Sequence, residues 1–147
     1  MTIEKYQSIY FEDCLNILKS NTPKYIDPSE QALFESYLIR DQIIYFVLFE
    51  KNNVLACGGY GLNKQKTKAG LSWGLVHRKY HKKGFGSDLL KFRLKHIVSN
   101  CGNINVKLDT SQKTYKFFEK FGFITEKVIP DKYGIGLDCY EMILKFK

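Results

Sequence analysis

The stretch Val76-His77-Arg78-Lys79-Tyr80-His81-Lys82-Lys83-Gly84-Phe85-Gly86-Ser87-Asp88-Leu89-Leu90 constrains this chain more than any other. An apolar run of strand character ends at Val76 and a basic turn follows. Two glycines then open a segment in which Leu90, Leu94, Ile97 and Val98 recur at helical spacing. The first turn of a helix exposes N–H groups that have no intrahelical partner, and it carries the positive end of the macrodipole. Glycines let an anion reach that backbone. With Arg78, Lys79, Lys82 and Lys83 around it, the turn reads as a cradle for a phosphate or pyrophosphate. A glycine pair beside solvated lysines also makes ordinary tight turns, so the pattern needs support from the rest of the chain. No GK[ST] follows, as a Walker loop requires, and GxGxxG is incomplete; nucleotide hydrolysis and dinucleotide binding are disfavoured.

The remaining periodicities supply a frame of alternating helices and strands. Phe11, Cys14, Leu15 and Leu18 mark a first helical face that Asn21-Thr22-Pro23 breaks. Asp27-Pro28-Ser29-Glu30 has the form of an N-cap, a proline at N1 and an acid at N3, and starts a second helix through Leu33, Phe34, Tyr37 and Leu38. Runs 43–49 and 54–60 read as a hairpin turned at Lys51-Asn52-Asn53, and Leu71 to Val76 as a third strand after a basic loop. Beyond the third helix, Ile104, Val106 and Leu108 alternate with polar residues as a half-buried strand does. A fourth helix carries Thr114, Phe117, Phe118 and Phe121, and two closing strands, 123–129 and 137–146, flank a loop over 130–136. The order ααβββαβαββ predicts an α/β (α+β) three-layer αβα sandwich around a mixed, mostly antiparallel sheet of six or seven strands. One domain over residues 1–147 is expected.

The net charge of +8 favours an anionic partner without saying which kind. Four cysteines, at 14, 57, 101 and 139, form no CxxC pair and have no histidine cluster beside them, so neither a metal site nor a redox motif is expected. The N-terminal stretch has early acids and no apolar core, and no apolar run approaches the roughly 20 residues a membrane helix needs. A cytoplasmic location and no membrane partner are the expectations.

The stretch around Gly84 resembles motif A of the GNAT family of N-acetyltransferases, with Val76, His81, Gly84, Gly86, Leu89 and Leu90 at matching positions. Downstream, the segment Thr110 to Phe123 resembles that family's motif B, including its closing Glu119-Lys120-Phe121-Gly122-Phe123. The resemblance implies an acetyl-CoA-dependent N-acetyltransferase (an acyltransferase of the EC 2.3.1 type) that passes acetyl directly to a primary amine of a small molecule or peptide. The donor would lie in a V-shaped gap between the strand ending at Val76 and the strand ending at Asp109. Backbone of Leu75 and Val76 would meet the pantetheine amides, and His81, Lys82, Lys83, Gly84, Phe85, Gly86 and Ser87 the pyrophosphate. Ser111 and Phe118 would flank the donor.

Departures from the family pattern shape the remaining assignments. Phe118 stands where many members carry the tyrosine that protonates the departing thiolate, so Tyr115, one turn earlier, is the substitute in sequence; a packed aromatic is its other reading. Glu30 and Asp109 are candidates for the base, against capping roles for each. Asn21, Tyr25, Tyr60, Trp73, Tyr133 and Tyr140 are candidates for the acceptor wall, against ordinary core or surface positions. Two alternatives stay open: a non-catalytic acyl-CoA-binding domain, favoured by Phe118, and a basic nucleic-acid-binding module, which the family resemblance disfavours. Monomer and homodimer are both compatible with the sequence.

Overall fold

The computed structural model describes residues 1–146. Seven strands form one sheet in the order β1-β2-β3-β4-β5-β7-β6. They are β1 (Thr2–Lys5), β2 (Ile44–Glu50), β3 (Asn53–Leu62), β4 (Lys68–Val76), β5 (Asn105–Thr110), β6 (Ile124–Gly134) and β7 (Leu137–Leu144). The helices are α1 (Phe11–Ser20), α2 (Glu30–Leu38), α3 (Phe85–Cys101) and α4 (Tyr115–Glu119). Every neighbouring pair is antiparallel except β4 with β5, the pair joined through α3.

The two faces of the sheet bury separate clusters, which makes three layers. On one face, Cys14, Leu15, Ile17 and Leu18 of α1 and Phe34 and Leu38 of α2 pack on Tyr45, Val47 and Cys57, with Trp73 and Leu75 at the margin. On the other, Leu89 and Ile97 of α3 meet Phe46, Leu48, Ala56, Val106, Leu108, Phe123 and Met142. The period of two along β2 assigns its residues alternately to the two clusters, so a one-residue slip would exchange them.

Several local expectations are refined. β1 carries no alternation in its four residues and takes shape through pairing with β2, Thr2 opposite Phe49. The β2–β3 turn is Lys51-Asn52 alone, both with positive φ (50° and 67°), the conformation whose twist suits a two-residue hairpin. Asp27 does not cap α2: its carboxylate accepts from the N–H and hydroxyl of Ser29, and the helix begins at Glu30. The fourth helix shortens to five residues. Residues 130–134, expected in a loop, extend β6; Pro130 is tolerated there because β6 lies at the sheet edge and owes no hydrogen bond on its outer side. All four cysteines are free, and Cys14, Cys57 and Cys139 are buried.

Candidate active site

The centre of the sheet opens. β4 and β5 pair only at Lys68–Asn105, Ala69–Val106 and Gly70–Lys107, yet β4 runs on to Val76 and β5 to Thr110. A bulge turns β4 away: between the pairs Cys57–Leu75 and Gly59–Ser72, β4 contains one residue more than β3. Trp73 sits in this bulge with φ of 44°, and Leu71 and Trp73, although two apart, point to opposite faces. The hydroxyl of Tyr45 donates to the Trp73 carbonyl at 2.7 Å, and the indole packs against Phe34 at 4.9 Å.

At the mouth of the gap, a 3-10 turn over Arg78–Tyr80 leads to the head of α3. The first bond inside α3 runs from Asp88 N–H to the Gly84 carbonyl at 3.0 Å, which leaves the amides of Phe85, Gly86 and Ser87 without helical acceptors. Gly84 has φ of 89° and open space where a side chain would stand. At Gly86 a Cβ would lie in ordinary contact, 3.4 Å from Val76 and 3.7 Å from the Phe117 ring, which places the head of α3 against β4 and α4. Lys82 adopts φ of 61°, a left-handed conformation in a non-glycine residue. Tyr25 carries Lys24 and Arg78 near its ring, and Tyr80 carries Lys79 and Lys83, so two aromatic rings hold the cations around the loop.

Val76 is fixed from both sides. Its carbonyl receives the Asn21 amide and the His81 ring nitrogen, each at 2.9 Å. The amide of His77 donates to Leu55, and the alternation of an antiparallel ladder then turns Leu75 toward Cys57 and leaves the Val76 N–H pointing away from β3. Of the two backbone positions expected at the pantetheine, Val76 therefore offers its N–H, whereas Leu75 is turned into the sheet. Ser111 is buried and organises the turn before α4, its hydroxyl accepting from Lys113 N–H at 3.2 Å. Phe118 packs against Phe117 and Phe123 at ring distances of 5.1 and 5.9 Å. Tyr115 stacks on Tyr140 at 4.3 Å.

The far wall of the gap is acidic. Asp109 stands opposite Glu141 in the β5–β7 ladder, on the face that α1 and α2 occupy elsewhere, and Cys139 is two residues along. The oxygen and sulfur atoms of the three side chains lie within 4.8 Å of one another. Burial and, against the pull of Lys132, the charge of Glu141 raise the Asp109 carboxyl above the usual range. Asp109 therefore does not cap α4, whose N-cap is Thr114. Glu30, first in α2, is raised by burial and then by Asp27. Tyr133 lies over Cys139, whose thiol donates to it at 3.6 Å, and its hydroxyl is pushed up by burial first, with Cys139, Asp109 and Glu30 adding to the rise. Asp27 lies against Gly134, so the α1–α2 link touches the β6–β7 end.

The acceptor-wall expectations divide. Tyr133 and Trp73 border the gap. Tyr60 does not: it is 2 % exposed, on the α3 face, bonded to His96 at 2.7 Å. Tyr140 lies on that same face with Tyr115. Asn21 is 3 % exposed and spends its amide on the Ile17 and Val76 carbonyls, so it ties α1 to β4 and does not line a wall. Tyr25 belongs to the loop side, its ring 5.1 Å from His81. Sequence reasoning missed Glu141 and Cys139, which the β5–β7 pairing brings to Asp109, Lys132 of the neighbouring β6, and Phe117, whose helical spacing made it one core aromatic among several. It also missed Arg93. This α3 residue is 4 % exposed, donates through Nη1 to the Gly59 carbonyl at 3.2 Å and leaves Nε without a partner.

A splayed parallel pair at the sheet centre, with a helix N-terminus and cations at its mouth, defines an acyl-coenzyme A N-acyltransferase architecture. A profile of the acetyltransferase (GNAT) family matches residues 11–123, and the chain belongs to that family, whose acetyl donor is acetyl-CoA. Its fold is shared by an aminoglycoside 6'-N-acetyltransferase solved with coenzyme A (16% identity, TM-score 0.79, covering 98% of this chain and 96% of that one). The ribosomal-protein-S18-alanine N-acetyltransferase of Escherichia coli superposes with TM-score 0.82 at 16% identity, over 99% of this chain and 95% of that one. Ard1 of Thermoplasma volcanium does so with TM-score 0.81 at 19% identity, over 99% and 98%. No curated protein matches the sequence. Among the described residues, no helix is long and apolar enough to cross a membrane.

Proposed function

We propose that this single domain transfers acetyl directly from acetyl-CoA to a primary amine of a small molecule or peptide in the gap between β4 and β5. The observation that carries this reading is the coincidence of three things at one end of the sheet: the splay past Gly70, unpaired amides at Phe85 to Ser87, and a carboxylate held protonatable at Asp109. The helix head and the cations of the loop suit the diphosphate, and charge-assisted bonds there are worth about 1.5–3 kcal/mol each. The Val76 N–H faces the gap and can hold the pantetheine or polarise the thioester carbonyl.

On the acceptor side, Asp109 is the base in this proposal. Its raised carboxyl is closer to the working pH than an ordinary aspartate, which favours taking a proton from an amine through water or directly. Glu30, whose carboxyl is also raised by burial, is the second candidate. Phe118 has no proton to give, so the hydroxyl of Tyr115 is the proposed source for the leaving sulfur. Four acids near the acceptor side, Asp27, Glu30, Asp109 and Glu141, contrast with the net +8 of the chain and suit a cationic amine.

The test pairs two measurements on the purified chain. Acetyl-CoA is expected to raise Tm, and thiol release from acetyl-CoA is expected with at least one member of a panel of primary amines and amino-terminal peptides. A Tm rise without thiol release across the panel favours the reading that Phe118 supports, a domain that binds acyl-CoA without transfer. No Tm rise at saturating acetyl-CoA rejects both.

A further inference from the structure

Among the described residues, Arg93 is the one buried charge that the assignments above leave unused. It projects from α3 beside Leu89, Leu90 and Ile97, positions that otherwise bury apolar side chains. No carboxylate pairs with it among the described residues. Burial alone disfavours such a cation strongly, and a leucine in its place would cost nothing in desolvation. Two glycines make room for it. A Cβ on Gly58 would lie 3.1 Å from the Arg93 Cζ, and one on Gly74 would lie 2.8 Å from Nη2. Gly58 stands opposite the bulge of β4, and Gly74 is inside it. The guanidinium therefore fills the hole that the bulge opens in the sheet. The groups facing it are the hydroxyls of Tyr37 and Tyr45 and the thiol of Cys57, all from the α1–α2 side. Burial lowers its pKa to about 10, which keeps it charged at neutral pH. Gly74 is solvent-exposed, so a single glycine separates this charge from the open face of the bulge.

We propose that Arg93 is a positioning residue for acetyl transfer: its unpaired guanidinium, seated under Gly74 in the β4 bulge, places a fixed positive charge beneath the cleft that stabilises the thiolate form of coenzyme A. The inference rests on the donor site proposed above. In the transfer, the amine nitrogen bonds to the thioester carbon and the C–S bond breaks with its electron pair going to sulfur. The proton shed by nitrogen passes to the base, and the thiolate takes up a proton to leave as the thiol. Phe118 offers no acid beside that sulfur, so a positive field would tolerate the anion until the proton arrives from the Tyr115 hydroxyl. A low-dielectric seat with no carboxylate to neutralise it gives the charge its reach.

The experiment titrates the thiol of coenzyme A bound to the purified chain, followed by thiolate ultraviolet absorbance, in the parent and in Arg93→Met and Arg93→Lys. In the parent, the bound thiol is expected to ionise below free coenzyme A titrated in the same buffer. In Arg93→Met, with Tm and coenzyme A affinity held, it is expected to ionise about one unit higher than in the parent, a tenfold change in proton affinity. Arg93→Lys, which keeps the charge, is expected to restore most of the shift. A purely structural role for Arg93 would move Tm and leave the thiol unchanged. Equal thiol ionisation in parent and Arg93→Met overturns the proposal. So does a parent in which the bound thiol ionises at or above its free value, a result that stands even if the methionine variant does not fold. Failure of the parent to bind coenzyme A at all instead overturns the donor-site reading, and calorimetry separates that case from the others.

Discussion

The two walls of the cleft are built from different materials. The proposed donor side is backbone: amides at the head of α3, the Val76 N–H, and a loop turned at Gly84. Its side chains are cations set around the loop, one of them, Lys82, in a left-handed conformation that favours glycine. The proposed acceptor side is side chain: Asp109, Glu141, Glu30 and Tyr133, each with a perturbed or crowded environment. Backbone recognition survives sequence change because every residue carries the same amide, whereas a constellation of carboxylates is lost with one substitution. A chain can thus keep one donor while relatives of the same fold, at 16–19% identity, differ in what they acetylate.

Substitutions can break this contrast in order of size. Asp109→Asn is expected to lower turnover by about 10²–10⁴, the usual share of a general base, with acetyl-CoA affinity unchanged; thiol-release kinetics and calorimetry check the two halves. Glu141→Gln sharpens the same point through pH. The Glu141 charge helps to raise the Asp109 carboxyl, so its removal lowers that pKa and moves the acid limb of the rate profile to lower pH. On the donor side, Gly84→Glu and Gly86→Glu are each expected to abolish the stabilisation by acetyl-CoA, which for the parent at 100 times Kd is about 2.7 kcal/mol. A thermal shift retained by both variants would misplace the diphosphate.

Two smaller effects complete the series. Tyr115→Phe keeps the stack on Tyr140 and removes only the hydroxyl; turnover is expected to fall about tenfold, ~1.4 kcal/mol, with affinity retained. Unchanged turnover would return Tyr115 to packing. Lys82→Gly relieves a left-handed lysine, worth ~1–2 kcal/mol, against a glycine entropy cost of ~0.5–1 kcal/mol. A rise in Tm of about 2–3 °C is expected, alongside slightly weaker binding of acetyl-CoA.

The donor side was legible because its parts are contiguous in sequence: strand end, basic turn, glycines and helix start fall within fifteen residues, 76–90. The helix and strand order was legible for a similar reason, since periodicity is local. The acceptor wall was not. Asp109 and Glu141 are neighbours only because β7 pairs with β5, and nothing in their own surroundings announces that register. Arg93 left a faint trace. It falls three residues after Leu90 and four before Ile97, on the apolar side of α3, and a charge there calls for a hole that Gly58 and Gly74 supply from distant strands. Tyr60, Tyr140 and Asn21 show the converse, since residue type cannot reveal which face of a sheet a side chain joins.

Chain order and sheet order part company at β7, which slots between β5 and β6 although it follows both. The hairpin of β2 and β3 can close as soon as its residues exist. The strand that carries Glu141 must instead enter a seat already flanked by an earlier strand, at a sequence separation of 30 to 38 residues from its β5 partners. Until then β5 presents a naked edge to which β6 or another chain could pair in error. Maturation of the acidic wall is thus tied to a non-local pairing, and in the proposed reading a chain stalled before it would hold the diphosphate cradle without its base.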